Sequence, residues 1–406
     1  MRFITADFIF PITSPPIPDG VVVAEDDGTI IRVGKRDDPD LPPLPSVLES
    51  FSGIICPGFI NAHCHLELSH LKNKLTAGKG LPHFIEEMMK SRNGKDDEIK
   101  EAIQKAESEM ITGGIVAVGD ISNGRHSFDQ KKKHRLRYHT FIEVFDIVPE
   151  KADVEFERAL NLINEFDETT QPLNTHYPIA NTISITPHAP YSTTPKLLKL
   201  INEYAYHHGS PLSIHNQETA SENAMFVERK GKLFDVLSSF GNAYANWKAT
   251  GFSSLSSSLV HLPKCNKLQL VHNTFSTADD ITWAHLYNMM TWWCTCPNAN
   301  LFIENKLPDY QLFIDAGCRM TVGTDSYASN RSLSMLDELK TISTHAPFIR
   351  LETLLRWATM NGAEFLGFNK ESGSLEKGKK PGLNLIKHVD LEKISLTIDS
   401  VVEKIV

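Results

Sequence analysis

Eight short apolar runs recur through the middle of this chain, with helical stretches between them. The runs lie at 54–60, 115–118, 138–144, 182–185, 211–214, 268–271, 290–293 and 319–322. Helical spacing marks 97–112, 195–207, 220–230, 307–316 and 351–366. The first of these starts on acidic residues, repeats Ile99, Ile103, Ala106 and Met110, and stops at Gly113-Gly114. Alternating strands and helices predict an α/β protein with parallel strands, and eight strands predict a (β/α)8 TIM-like barrel. Ser253 to Ser258 reads as a loop insertion before the sixth strand. Lys131-Lys132-Lys133, with Arg135 and Arg137, reads as a solvated loop before the third.

The two ends of the chain differ from this middle. Residues 20–23 and 29–33 are β-rich and flank Asp26-Asp27-Gly28, a hairpin turn signal. A proline-rich link follows at 39–45. The stretch after 372 has a similar composition, with Leu383-Asn384-Leu385-Ile386 as its strand candidate. The expected organisation is a small β-sandwich-like domain from 1–55 plus 367–406, beside a hydrolase barrel over 56–366.

Histidines and a carboxylate stand where these strands end. His63-Cys64-His65 closes the first, and an H-x-H on an extended segment puts both imidazoles on one side. His188 follows the fourth, in Thr186-Pro187-His188-Ala189-Pro190-Tyr191. His215 ends the fifth, with Glu218 three residues on; His272 ends the sixth, and Asp325 ends the eighth. In a barrel the C-terminal strand ends converge on one mouth. Imidazoles and a carboxylate gathered there suit a borderline divalent ion.

Composition narrows the remaining classes. The chain has 406 residues, 41% of them hydrophobic and 22% charged, and its net charge of −9 excludes a general binder of nucleic acid or anionic membranes. No run approaches membrane-spanning length, and no signal-peptide pattern opens the chain, so a cytoplasmic protein is expected. Six cysteines are too sparse for a disulfide framework and read as free thiols, mostly buried. Trp283, Trp292 and Trp293 read as core residues.

Six segments resemble the amidohydrolase superfamily, in its aromatic deaminase and chlorohydrolase-like branch. They are PGFINAHCHLELS (57–69), TPHAPYSTT (186–194), HNQE (215–218), LVHN (270–273), CPNAN (296–300) and AGCRMTVGTDSYASN (316–330). The first also resembles aminofutalosine deaminases. The resemblance implies that His63, His65, His215 and Asp325 hold one divalent metal ion. Zinc is the default, while iron or manganese suits the same donors. It implies Glu218 as proton shuttle, His272 as the residue that steadies the attacking water or the substrate, and His188 as a substrate contact. Binuclear branches place a bridging lysine at the end of the fourth strand. This strand reads Thr182-Ile183-Ser184-Ile185-Thr186, without lysine, so one metal ion is expected.

The chemistry of these groups is mutually consistent. An ion with an open position lowers the pKa of bound water to about 7. A carboxylate beside that water can carry one proton to a ring nitrogen and one to departing ammonia. The expected function is hydrolytic deamination of an amino-substituted heteroaromatic ring: an adenine nucleoside derivative such as aminofutalosine or S-adenosylhomocysteine, or a nucleobase. The alternatives are hydrolytic dechlorination or amide hydrolysis at the same site, and a scaffold barrel without catalysis. The expected partner is a small molecule, and the resemblance is compatible with a homodimer. Thioether-adenosine deaminases of the family carry an acidic ribose contact on the segment after the first strand. Ser91-Arg92-Asn93-Gly94 stands where that contact is expected, with Glu86 and Glu87 nearby.

Overall fold

The computed structural model describes residues 1–170, 181–241 and 244–406. Its architecture is mixed α/β, and each of the eight expected runs contains a strand. Four parallel strands form one sheet in the order Thr182–Pro187, Arg137–Val144, Ile115–Ser122, Phe59–Cys64. Four more form a second parallel sheet in the order Leu212–Asn216, Leu268–His272, Thr291–Thr295, Met320–Val322. Nearly every residue of these strands is buried, the pattern of parallel sheets covered on both faces.

Hydrogen bonds link the two sheets at both sides. The His215 N–H donates to the His188 carbonyl at 2.9 Å. The N–H groups of Thr324 and Asp325 donate to the His63 carbonyl at 3.1 and 3.0 Å. Gly323 allows this second approach. A Cβ there would lie 2.7 Å from both the His63 Cβ and the His63 carbonyl oxygen.

The first apolar run is in fact two strands. Ile54–Pro57 pairs antiparallel with Leu383–Lys387, whereas Phe59–Cys64 joins the parallel sheet. Gly58, between them, marks the change of sheet. The two chain termini therefore meet in a five-stranded sheet ordered Val401–Lys404, Leu383–Lys387, Ile54–Pro57, Phe8–Ile9, Ile17–Pro18. A four-stranded sheet, ordered Ile30–Lys35, Gly20–Ala24, Arg2–Thr5, Glu49–Ser50, contains the expected hairpin. Ile4, Ile9, Val22, Ile55, Leu383 and Leu385 form a shared apolar cluster.

Several expectations need correction. The serine stretch is a helix, Ser254–Leu259, because Ser253 caps its N-terminus by accepting from the Ser256 N–H. Lys131 is not solvated. It ends a short helix, is fully buried, and meets Asp120 at 2.6 Å. The helix expected over 307–316 covers only Tyr310–Asp315, after an Asp309 cap. The one expected over 351–366 is interrupted by a π turn at Trp357–Asn361. Trp292 and Trp293 are buried, but Trp283 is 39% exposed. Cys56, Cys64, Cys294 and Cys296 are buried free thiols, and Cys265 is exposed. No helix among the described residues is long and apolar enough to cross a membrane.

Candidate active site

The seven predicted site residues come together at the C-terminal ends of the parallel strands, and all but His63 line a cavity of about 340 Å³. His65 Nε2 lies 3.2 Å from His63 Nε2, 3.2 Å from His215 Nε2 and 3.3 Å from Asp325 Oδ1. His63 Nε2 is 3.6 Å from the same carboxylate oxygen. All four residues are buried. Burial lowers the pKa of His63 to about 4 and drives that of His215 well below the usual range. Burial opposes ionisation of Asp325, but hydrogen bonding to His63 and the surrounding imidazoles hold its carboxyl far below the ordinary carboxylate range.

These donors fit a divalent ion. Two ligand atoms about 2.1 Å from one ion stand about 3.0 to 3.4 Å apart at the angles zinc adopts. Neutral imidazoles each carry only one N–H. His215 already donates its Nδ1–H to the His188 carbonyl at 2.8 Å, which leaves its Nε2 as a lone pair. His65 Nε2 faces His63 Nε2, His215 Nε2 and the Asp325 carboxylate at once, and a single N–H cannot serve all three, whereas one cation can.

The backbone at these positions is unusual. His272, Asn273 and Asp325 have φ values of 73°, 57° and 56°, and Gln217 has 46°. Non-glycine residues in this left-handed region cost about 1–3 kcal/mol each and persist where the surroundings hold them. Asn273 is held by its N–H to the Asn216 carbonyl at 3.0 Å. Asp325 is held by the His63 carbonyl and by the Ser329 hydroxyl, which donates to Oδ2.

Glu218 sits beside the cluster, 3.8 Å from His272 Nε2. Burial pushes its pKa up to about 7. Its backbone N–H and that of Gln217 both donate to Glu222 at 3.1 Å. His272 Nδ1 is 2.8 Å from Asn300 Oδ1. His188 lines the same cavity, with its Nδ1 2.6 Å from the Ser192 hydroxyl.

Sequence reasoning left several supporting residues unassigned. Glu67 neither points into the mouth nor pairs with a lysine; it accepts the Asn123 and Gly124 N–H groups at 3.0 and 3.3 Å. Asn123 in turn donates its Nδ2 to Glu143 Oε2 at 2.8 Å. Glu143 Oε1 is buried without a hydrogen-bond partner among the described residues, 3.6 Å from His215 Nδ1. Glu143 ends a fully buried strand, and a charged residue in such a run is the signal that could have found it. Glu87 faces away and accepts from Thr76.

The profile of the amidohydrolase family matches residues 54–404. The chain belongs to the amidohydrolase family. Among curated members, an adenosine deaminase of Helicobacter pylori is 26% identical over 341 residues, covering 82% of this chain and 79% of that protein. An aminodeoxyfutalosine deaminase of Deinococcus radiodurans is 26% identical over 376 residues, covering 90% and 86%. Among solved structures, the aminofutalosine deaminase of Helicobacter pylori in complex with methylthio-coformycin superposes with a TM-score of 0.78 at 23% identity, covering 98% of this chain and 94% of that one. An adenosine deaminase of Xanthomonas campestris with bound zinc gives 0.75 at 22% identity, covering 98% and 89%. These structures share this amidohydrolase's fold.

Proposed function

We propose that this amidohydrolase is a metal-dependent deaminase that releases ammonia from an amino-substituted heteroaromatic ring, with adenine nucleoside derivatives as the substrate class. The observation that carries the reading is the buried meeting of His63, His65, His215 and Asp325 beside a second, separate carboxylate, Glu218. Its curated relatives are named as deaminases of adenosine and of aminodeoxyfutalosine.

In this reading His63, His65, His215 and Asp325 hold one divalent ion, zinc by preference. When bound, such an ion supplies Lewis acidity and activates water at neutral pH. Glu218 receives the proton released as water adds to the ring carbon. It passes that proton to the ring nitrogen, then serves the departing amine, so that the C–N bond breaks, ammonia leaves and a ring carbonyl remains. A pKa near 7 suits a group that must both take and give a proton. His272 holds the attacking water by hydrogen bonding, its ring oriented by Asn300. His188 contacts the substrate from the cavity wall.

The same proposal extends to the frame. The two parallel sheets close into one (β/α)8 barrel over 56–366, supported by the hydrogen bonds at both seams. Residues 1–55 and 367–406 form one small β domain, supported by the pairing of Leu383–Lys387 with Ile54–Pro57.

The test is ammonia release by the metal-loaded protein from adenosine, S-adenosylhomocysteine, aminofutalosine, guanine, cytosine and a melamine-type triazine, with a chelated control. Chelator-sensitive ammonia from the adenine nucleosides is expected. No ammonia from any of these rings, in protein holding one tight metal ion, would overturn the reading.

A further inference from the structure

Helix Leu81–Ser91 presents one stripe to the cavity. Leu81, Phe84, Ile85, Met88 and Arg92 all line it, at positions i, i+3, i+4, i+7 and i+11. This is one face of an α-helix. Phe145, Leu237 and Phe240 line the same space. Met89 and Phe240 are exposed and mark the rim, whereas Glu218, His272 and Asp325 are buried and mark the floor. The outer half of the cavity is therefore apolar, and the described residues leave it open.

Arg92 ends that stripe and is the sole lysine or arginine lining the cavity among the described residues. Its guanidinium has no hydrogen bond, ion pair or ring contact among the described residues. Only its backbone is engaged, with its N–H on the Met88 carbonyl and its carbonyl 3.0 Å from His70 Nε2. Arg92 and His188 line the same cavity; burial is the main cause that lowers the His188 pKa, and the Arg92 charge adds to it. Glu67 does not pair with Arg92, being occupied by two backbone N–H groups. A cation at a helix C-terminus complements the dipole, but exposed Lys90 already serves that end. Five unpaired N–H donors on an apolar wall match a planar anion.

We infer that Arg92 is a specificity-determining residue that binds an anionic group carried at the far end of an apolar arm on the substrate. The assignment rests on the reading that the floor of the cavity holds the amino-bearing ring. A nucleoside whose arm ends in a carboxylate fits this arrangement: ring at the floor, arm along Phe84 and Met88, carboxylate on Arg92.

The experiment compares 5′-(3-carboxypropylthio)-5′-deoxyadenosine with its methyl ester, which differ chiefly in charge. Binding is read by calorimetry on the metal-loaded wild type, Arg92→Gln and Arg92→Lys, and ammonia is measured in parallel. The wild type is expected to bind the acid about 10- to 100-fold more tightly than the ester, the usual size of a hydrogen-bonded charge contact. Raising the ionic strength should shrink that ratio. Arg92→Gln should abolish it while leaving ester binding within about threefold, and Arg92→Lys should retain part of it.

Equal binding of acid and ester by the wild type overturns the inference, as does an equal loss of both in Arg92→Gln. Binding of neither ligand overturns it too. Should the variants fail to fold, the wild-type ratio and its salt dependence decide alone. Preference for the acid without ammonia from either leaves Arg92 assigned and removes deamination. Ammonia from both at equal kcat/KM, with equal binding, does the reverse.

Discussion

His272 Nδ1 lies 2.8 Å from Asn300 Oδ1. An amide oxygen accepts only, so the imidazole donates its Nδ1–H there and turns its Nε2 toward Glu218. Asn300 belongs to the helix Pro297–Glu304 that follows the seventh strand, so one strand's end orients the ring of a residue on its neighbour.

Asn300→Leu removes that acceptor. The expected result is a 10- to 100-fold fall in kcat, the usual cost of losing such an orienting partner. Metal content by elemental analysis should be unchanged. Asn300→Asp keeps an acceptor and should recover part of the rate.

Glu218→Gln keeps the shape and removes the proposed proton carrier. A loss of about 10²- to 10⁴-fold in turnover is expected. One tightly held metal ion per chain should remain. Loss of the metal together with turnover would place Glu218 among the ligands instead.

Glu222 provides a pH signature. Burial raises its pKa to about 7 in the folded chain, against an ordinary value of 4.5. The folded state therefore holds the extra proton between these two values. By linkage its contribution to stability is complete below about pH 4.5 and is lost as pH rises to about 7. Between pH 5 and 8 the Tm of the chelated wild type should fall relative to that of Glu222→Gln, which cannot ionise; buried His63 and His215, whose pKa values are lowered, push both proteins the other way and cancel in the difference.

Lys131→Met leaves Asp120 buried without its cation. Removing one partner of a buried ion pair costs about 3–5 kcal/mol. Asp120 also accepts the Leu66 N–H at 2.8 Å, next to His65, so zinc affinity should weaken along with stability. Urea unfolding and zinc titration report the two effects. The double variant Lys131→Met with Asp120→Leu should regain much of the stability and none of the zinc affinity.

Much of this was legible in the sequence because it depends on spacing alone. The H-x-H after an apolar run, His272 and Asp325 after theirs, and the alternation of runs with helices survive any ambiguity about exact boundaries. Lys131 was not legible. Its charge argued for solvent, and the compensating Asp120 lies on the preceding strand, Ile115–Ser122, inside a largely apolar run. The change of sheet at Gly58 was legible but passed over: Pro57-Gly58, a breaker dipeptide, interrupts the apolar run where the chain leaves one sheet for another. The left-handed backbone of His272 and Asp325 leaves no compositional trace, since neither residue is a glycine. Glu143 and Asn300 owe their places to partners far away in the chain, and no local pattern records such pairs.

Gly323 and the two N–H groups that follow it on the His63 carbonyl have a consequence for how the molecule comes into being. The bond between Asn61 and Thr324 spans 263 residues, so His63 and Asp325, two of the proposed metal donors, come from opposite ends of the central segment. Such a contact carries a large loop-closure cost and belongs to the late, slow part of folding. A chain made as far as His215 has three of the four proposed donors, and Asp325 joins them only with the eighth strand. On the proposed reading, tight metal binding would therefore report that the whole central segment has been assembled.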